Sequence, residues 1–209
     1  MNKAKIPLSV LAILYLSVSV IIHFGVIIYE ISRNSGFFNI WPILNYLGSL
    51  IPFVLILVYS FVFSDCRFGK ILLMGIVSFK AAFFLGNVTR LLQNLIKYIK
   101  NDAFTQFLKL NVSSIVIDLG GITVFVLLLL YILKVIKNKI AVLIISYSYF
   151  TVSFLTTFRD LAINIPSYLV FGSEKYMMYL SAIGYCDIIL AGLSLAIWII
   201  FTKTIILRD

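Results

Sequence analysis

Apolar residues fill this chain in long runs separated by short polar gaps. The runs cover 7–29, 41–63, 71–96, 112–133, 140–158 or on to 171, and 176–202. A helix needs about 20 apolar residues to cross the hydrocarbon core of a bilayer, and each run meets that length or approaches it. The alternating segments of roughly ten residues that mark a membrane β-barrel are absent. The pattern predicts an all-α integral membrane protein, with six transmembrane helices in one bundle and a single polytopic domain over 1–209.

The edges of the runs add detail. A basic lead, Met1–Lys5, precedes the first, and no small-x-small cleavage site follows Ile22, so this helix is expected to be retained. Trp41 and Tyr46 stand where interface anchors belong, and Pro52 lies near the centre of the second run. After the third run, apolar residues recur near helical spacing over 97–109. That stretch reads as an amphipathic helix on the membrane surface, or equally as the third helix continuing into water. Arg159 and Asp160 interrupt the fifth run, which resumes with Asn164 and Pro166 inside it. Either the helix stops near Phe158 and a re-entrant or surface segment follows, or one long kinked helix passes through.

Composition agrees with the pattern. Hydrophobic residues make up 62% of the chain and charged residues 12%, against about 25% charged in soluble domains. The net charge of +9 therefore points to anionic lipid head groups at helix ends and not to nucleic acid. Lys3, Lys5, Arg67, Lys70, Lys134, Lys137, Lys139, Lys203 and Arg208 fall in alternate segments from Arg33, Lys97, Lys100, Lys109, Arg159 and Lys175. Positive residues favour the cytoplasmic side, so both termini are expected there. The Ile, Phe, Tyr, Lys and Asn content fits an AT-rich genome, and the expected location is a bacterial cytoplasmic membrane. Cys66 and Cys186 offer neither a disulfide framework nor metal-ligand spacing.

The informative residues are those charged or polar inside the runs. A charge at a helix centre costs at least ~2.5–3.5 kcal/mol on insertion scales, so each requires a reason. At a rise of about 1.5 Å per residue, Lys80 lies about 14 Å from the cytoplasmic end of the third helix and Asp187 about 16 Å from the outer end of the sixth. Arg90 and Asp118 each lie about 9 Å below the outer surface on adjacent helices. These depths predict two pairs, Lys80 with Asp187 and Arg90 with Asp118. Lys80, Asn87 and Arg90 share a helix face by their spacing of seven and three. Lys80, Asn87, Arg90, Asp118 and Asp187 are thus the candidate ligand-binding residues, with His23, Arg159, Asp160 and Asn164 secondary on the outer side. Gly120 and Gly121 beside Asp118 suit close helix approach.

Known catalytic signatures are missing. His23 is the only histidine, which excludes HExxH, and no phosphate-binding glycine loop or Ser-His-Asp set can be assembled. No cofactor or metal site is expected. Two readings follow. In one, a small-solute transport or substrate-binding subunit holds an anionic or zwitterionic solute in an outward-facing pocket. In the other, a receptor, sensor or immunity-type assembly subunit uses its buried charges to fix helix packing. Both expect the lipid bilayer and a protein partner or a second copy as partners. A membrane-embedded enzyme working through Asp118 or Asp187 has the least support.

Overall fold

The computed structural model describes the backbone of residues 5–33, 41–61, 67–101, 104–170 and 174–206. Side chains are described for 6–25, 46–61, 67–101, 104–108, 111–160, 162 and 185–206. Six helices account for these residues: α1 Lys5–Arg33, α2 Trp41–Phe61, α3 Arg67–Lys100, α4 Phe104–Ile132, α5 Lys139–Val170 and α6 Glu174–Ile206. No strand occurs among them. Among the described residues five helical stretches are long and apolar enough to cross a membrane, and Tyr46–Phe61 within α2 is a shorter apolar one. The whole of α2 is 21 residues, about 31 Å at the usual rise. Helices suit this environment because each satisfies its own backbone hydrogen bonds where no water can.

Each helix packs against its sequence neighbours and α6 returns to α1, so the six close a circuit, with the most extensive contacts at α3–α4 and α5–α6. Large apolar side chains cover the outside, Ile21 being 72% exposed and Phe61 71%. In water such a surface would be an aggregation hazard; against lipid tails it is neutral.

Aromatic rings hold the centre. Trp198 of α6 is buried and meets Phe125 of α4 at 4.8 Å between centroids, Phe150 of α5 at 6.0 Å and Phe53 of α2 at 6.0 Å. Phe53 stacks on Tyr15 of α1 at 3.8 Å, and Phe84 of α3 stacks on Phe125 at 5.8 Å. All six helices therefore touch one connected set of rings. Such pairs contribute about 0.5–1.5 kcal/mol each beyond the area they bury.

Two expectations are settled here. The stretch 97–109 is no separate surface helix: Lys97 and Lys100 end α3, and α4 begins at Phe104. Its apolar face is used within the hairpin, where Phe107, 2% exposed, lies 5.5 Å from the Tyr98 ring. The fifth helix runs unbroken to Val170, past Arg159, Asp160 and Pro166, so the long-helix alternative is the one adopted.

The α4–α5 connection is tightly defined. Val135 N–H donates to Leu130 O at 3.0 Å and Lys134 N–H to Tyr131 O at 2.9 Å, the paired bonds of a Schellman end. Lys134 takes the left-handed position with φ 63°, which glycine ordinarily fills. Asn138 then caps α5, its Oδ1 accepting from Ala141 N–H at 3.1 Å.

Gly121 sets the α3–α4 spacing. A Cβ there would stand 2.7 Å from the Phe84 ring and 2.7 Å from the Tyr149 hydroxyl. Phe84 is wedged against Phe125 and Tyr149 and has little room to give. Gly121→Ala is therefore expected to destabilise the protein by about 1–3 kcal/mol through overpacking. Gly86→Ala, with nothing within 4 Å, should be neutral or stabilising. Thermal unfolding in detergent checks both, and equal midpoints for the two variants would refute the assignment.

Candidate functional site

Helical spacing places two short polar stripes face to face. Asn87, Arg90, Leu91 and Asn94 recur at three, four and seven along α3, and Ser114, Ile117 and Asp118 at three and four along α4. Together they line a cavity of about 320 Å³. The Asp118 carboxylate is 7% exposed at its inner wall, whereas Arg90 is exposed. The two do not touch directly. Asn87 stands between them: Arg90 Nη2 donates to Asn87 Oδ1 at 3.0 Å, and Asn87 Nδ2 donates to Asp118 Oδ1 at 3.2 Å. The amide can serve a cation and an anion at once because it carries both an acceptor and donors.

The wall behind Asp118 is held from α5. Tyr149 donates its hydroxyl to Ile117 O at 3.0 Å. Farther out, Arg159 Nη2 donates to Ser113 Oγ at 2.9 Å and to Asp160 Oδ1 at 2.7 Å. This is the one ion pair among the described residues, and its side chains are 60% and 47% exposed, so it contributes little to stability. It ties α5 to α4 beside the cavity without lining it. The side chain of Asn164 lies outside the described residues, as does Cys66; Cys186 is a free thiol.

The five candidate residues thus part into three places. Asn87, Arg90 and Asp118 share the cavity. Lys80 does not line it and does not pair with Asp187, contrary to the depth argument. Its ammonium lies 5.0 Å from the Phe83 ring centroid, 5.3 Å from Phe84 and 5.9 Å from Trp198. The two residues stand at different levels: Lys80 meets α6 at the Trp198 ring, which is about 16 Å along the helix from Asp187. Rings supply the attraction a carboxylate was expected to supply, at up to about 2 kcal/mol each when desolvated.

Asp187 faces the other side, within electrostatic reach of His23 on α1. His23 Nδ1–H donates to Ser19 O at 2.9 Å, since a carbonyl can only accept, and the ring stacks on Tyr46 at 4.0 Å. The histidine is anchored and stacked. Among the described residues no three His, Cys, Asp or Glu side chains gather as a metal ion would require.

Asn94 and Ser114 escaped the sequence reading although spacing could have found them. Asn94 falls four residues after Arg90, and Ser114 four before Asp118. A smaller cavity of about 100 Å³ between α5 and α6 is lined by Phe150, Ser153, Phe154, Thr157, Ala191, Ser194, Leu195 and Trp198, with no charged group.

Comparison with protein-family models, curated proteins and solved structures finds no match. The chain's own geometry defines a multi-pass helical membrane bundle with a charged cavity between two of its helices.

Double-mutant cycles test these contacts. Asn87→Ala and Asp118→Ala should couple by about 1 kcal/mol or more, as for hydrogen bonds to charged groups. Lys80→Met and Asp187→Asn should add within about 0.5 kcal/mol, having no shared partner. Strong coupling of the second pair would contradict the placement of Lys80 among the rings.

Proposed function

We propose that this multi-pass membrane protein binds a small zwitterionic solute in the α3–α4 cavity, as a transport or substrate-binding subunit. The observation that carries the reading is the run from Arg90 through Asn87 to Asp118 along one cavity wall. A solute carboxylate would replace Asn87 as the partner of the Arg90 guanidinium, and a solute ammonium would meet the Asp118 carboxylate. Asn94 and Ser114 offer further donors and acceptors for orientation. A cavity of about 320 Å³ is at the small end of the roughly 300–1,000 Å³ typical of small-molecule sites.

The expected setting completes the reading. With both termini cytoplasmic in a bacterial plasma membrane, the cavity faces outward. A protein partner or a second copy of the chain would couple binding to movement of the solute.

A second reading draws on the same hydrogen bonds. The run closes on itself without any solute, as a device that staples α3 to α4 would, and the protein would then be a sensor or assembly subunit.

Native mass spectrometry of the protein extracted gently from its own membrane separates the two. A co-purifying solute is expected, lost on Arg90→Ala or Asp118→Ala and kept on Lys80→Met. Each lost charge-assisted contact should weaken retention by roughly ten- to a hundredfold. A stoichiometric protein with no solute, together with a lower unfolding temperature for Asp118→Ala, would establish the packing role instead.

A further inference from the structure

We propose that the C-terminal end of α4 carries a second binding site, for a phosphate group presented by an anionic phospholipid. A cavity of about 220 Å³ lies there, lined by Tyr131, Lys134, Ile136, Lys137 and Lys139. It is distinct from the α3–α4 cavity: Ser114 and Tyr131 are about 25 Å apart along the helix.

Three of the five lining residues are lysines and none is a carboxylate. Among the described residues none of the three forms an ion pair. Three like charges around one small volume repel one another, and an anion with several acceptor oxygens removes that repulsion while accepting from each ammonium. Phosphate has that shape and charge, and lysine serves it as a mobile point charge.

The local sequence supports the same end. Lys134 holds a φ of 63°, where glycine would sit without steric cost. Lys139 is the first residue of α5, where the helix dipole disfavours a cation. Two positions thus carry lysine against local preference, and both side chains line the same cavity. Conflicts of this kind between local preference and the fold are expected at functional sites.

The exposed apolar residues beside the lysines specify the source. Leu133 is 49% exposed, Val135 67% and Ile140 69%. A head group seated among the lysines would lay its acyl chains along these side chains, whereas a free phosphate ion would leave them unused. Basic recesses at the ends of transmembrane helices hold anionic head groups by the same combination.

The full-length protein in nanodiscs provides the test. Discs of phosphatidylcholine alone and of phosphatidylcholine mixed with phosphatidylglycerol are compared by the lipid retained in native mass spectrometry. Retention of phosphatidylglycerol is expected to fall roughly fivefold for each lysine neutralised, and about a hundredfold for K134Q/K137Q/K139Q. Lys134→Gly separates charge from folding: it should raise or keep the unfolding temperature while still weakening retention about fivefold. Equal retention by the triple variant and the parent protein overturns the site. Stabilisation by inorganic phosphate in phosphatidylcholine discs, with no preference for phosphatidylglycerol, overturns the lipid assignment.

Discussion

Between helices in a bilayer there is no water to expel, so packing geometry and polar contacts must do what burial does in a soluble fold. In this protein the connected rings around Trp198 meet that requirement. Phe53, Phe125 and Phe150 reach it from α2, α4 and α5, Tyr15 joins through Phe53, and α3 contributes both Phe84 and the ammonium of Lys80. Offset and edge-on ring contacts have preferred geometries, so they fix how the helices meet and not only that they meet. Lys80 strengthens the arrangement because a cation in hydrocarbon has few alternatives. Its attraction to the ring faces is the compensation available where, among the described residues, no carboxylate pairs with it.

The α3–α4 cavity depends on that centre. Gly121 admits the Phe84 ring and the Tyr149 hydroxyl, and Tyr149 in turn holds the carbonyl of Ile117 one residue before Asp118. The carboxylate is therefore backed by residues that belong to the aromatic packing. Its free side looks across to Asn87, with Arg90 beyond. The middle of α4 and its C-terminal end are consequently different in kind. One bears a network of both signs suited to a zwitterion, and the other bears lysines alone, suited to an anion at the lipid surface.

Helical periodicity along single segments was the legible part. The apolar runs located the helices, the spacing of Asn87 and Arg90 placed them on one face of α3, and depth placed Arg90 level with Asp118 on the adjacent antiparallel helix. Helices consecutive in the chain usually pack side by side, so that inference had a chain constraint behind it. The pairing of Lys80 with Asp187 had none. It rested on depths counted from the run edges, across two helices far apart in sequence, and in the structure Lys80 stands level with Trp198, about 16 Å along α6 from Asp187. Boundaries within 97–109 and beyond Phe158 were ambiguous for a related reason: helix, surface segment and continuation share one periodicity until the packing of Phe107 on Tyr98 and the unbroken course of α5 choose among them.

By itself the sequence determined that the chain is a helical membrane bundle, because only helices can satisfy the backbone of such apolar runs in lipid. It determined too that its buried charges would need partners, because desolvation leaves no other option. Which partners they obtain was decided only in the tertiary structure. That choice depends on the rotation and sideways neighbours of each helix, and these follow from side-chain contacts between segments far apart in the chain, which no local pattern encodes.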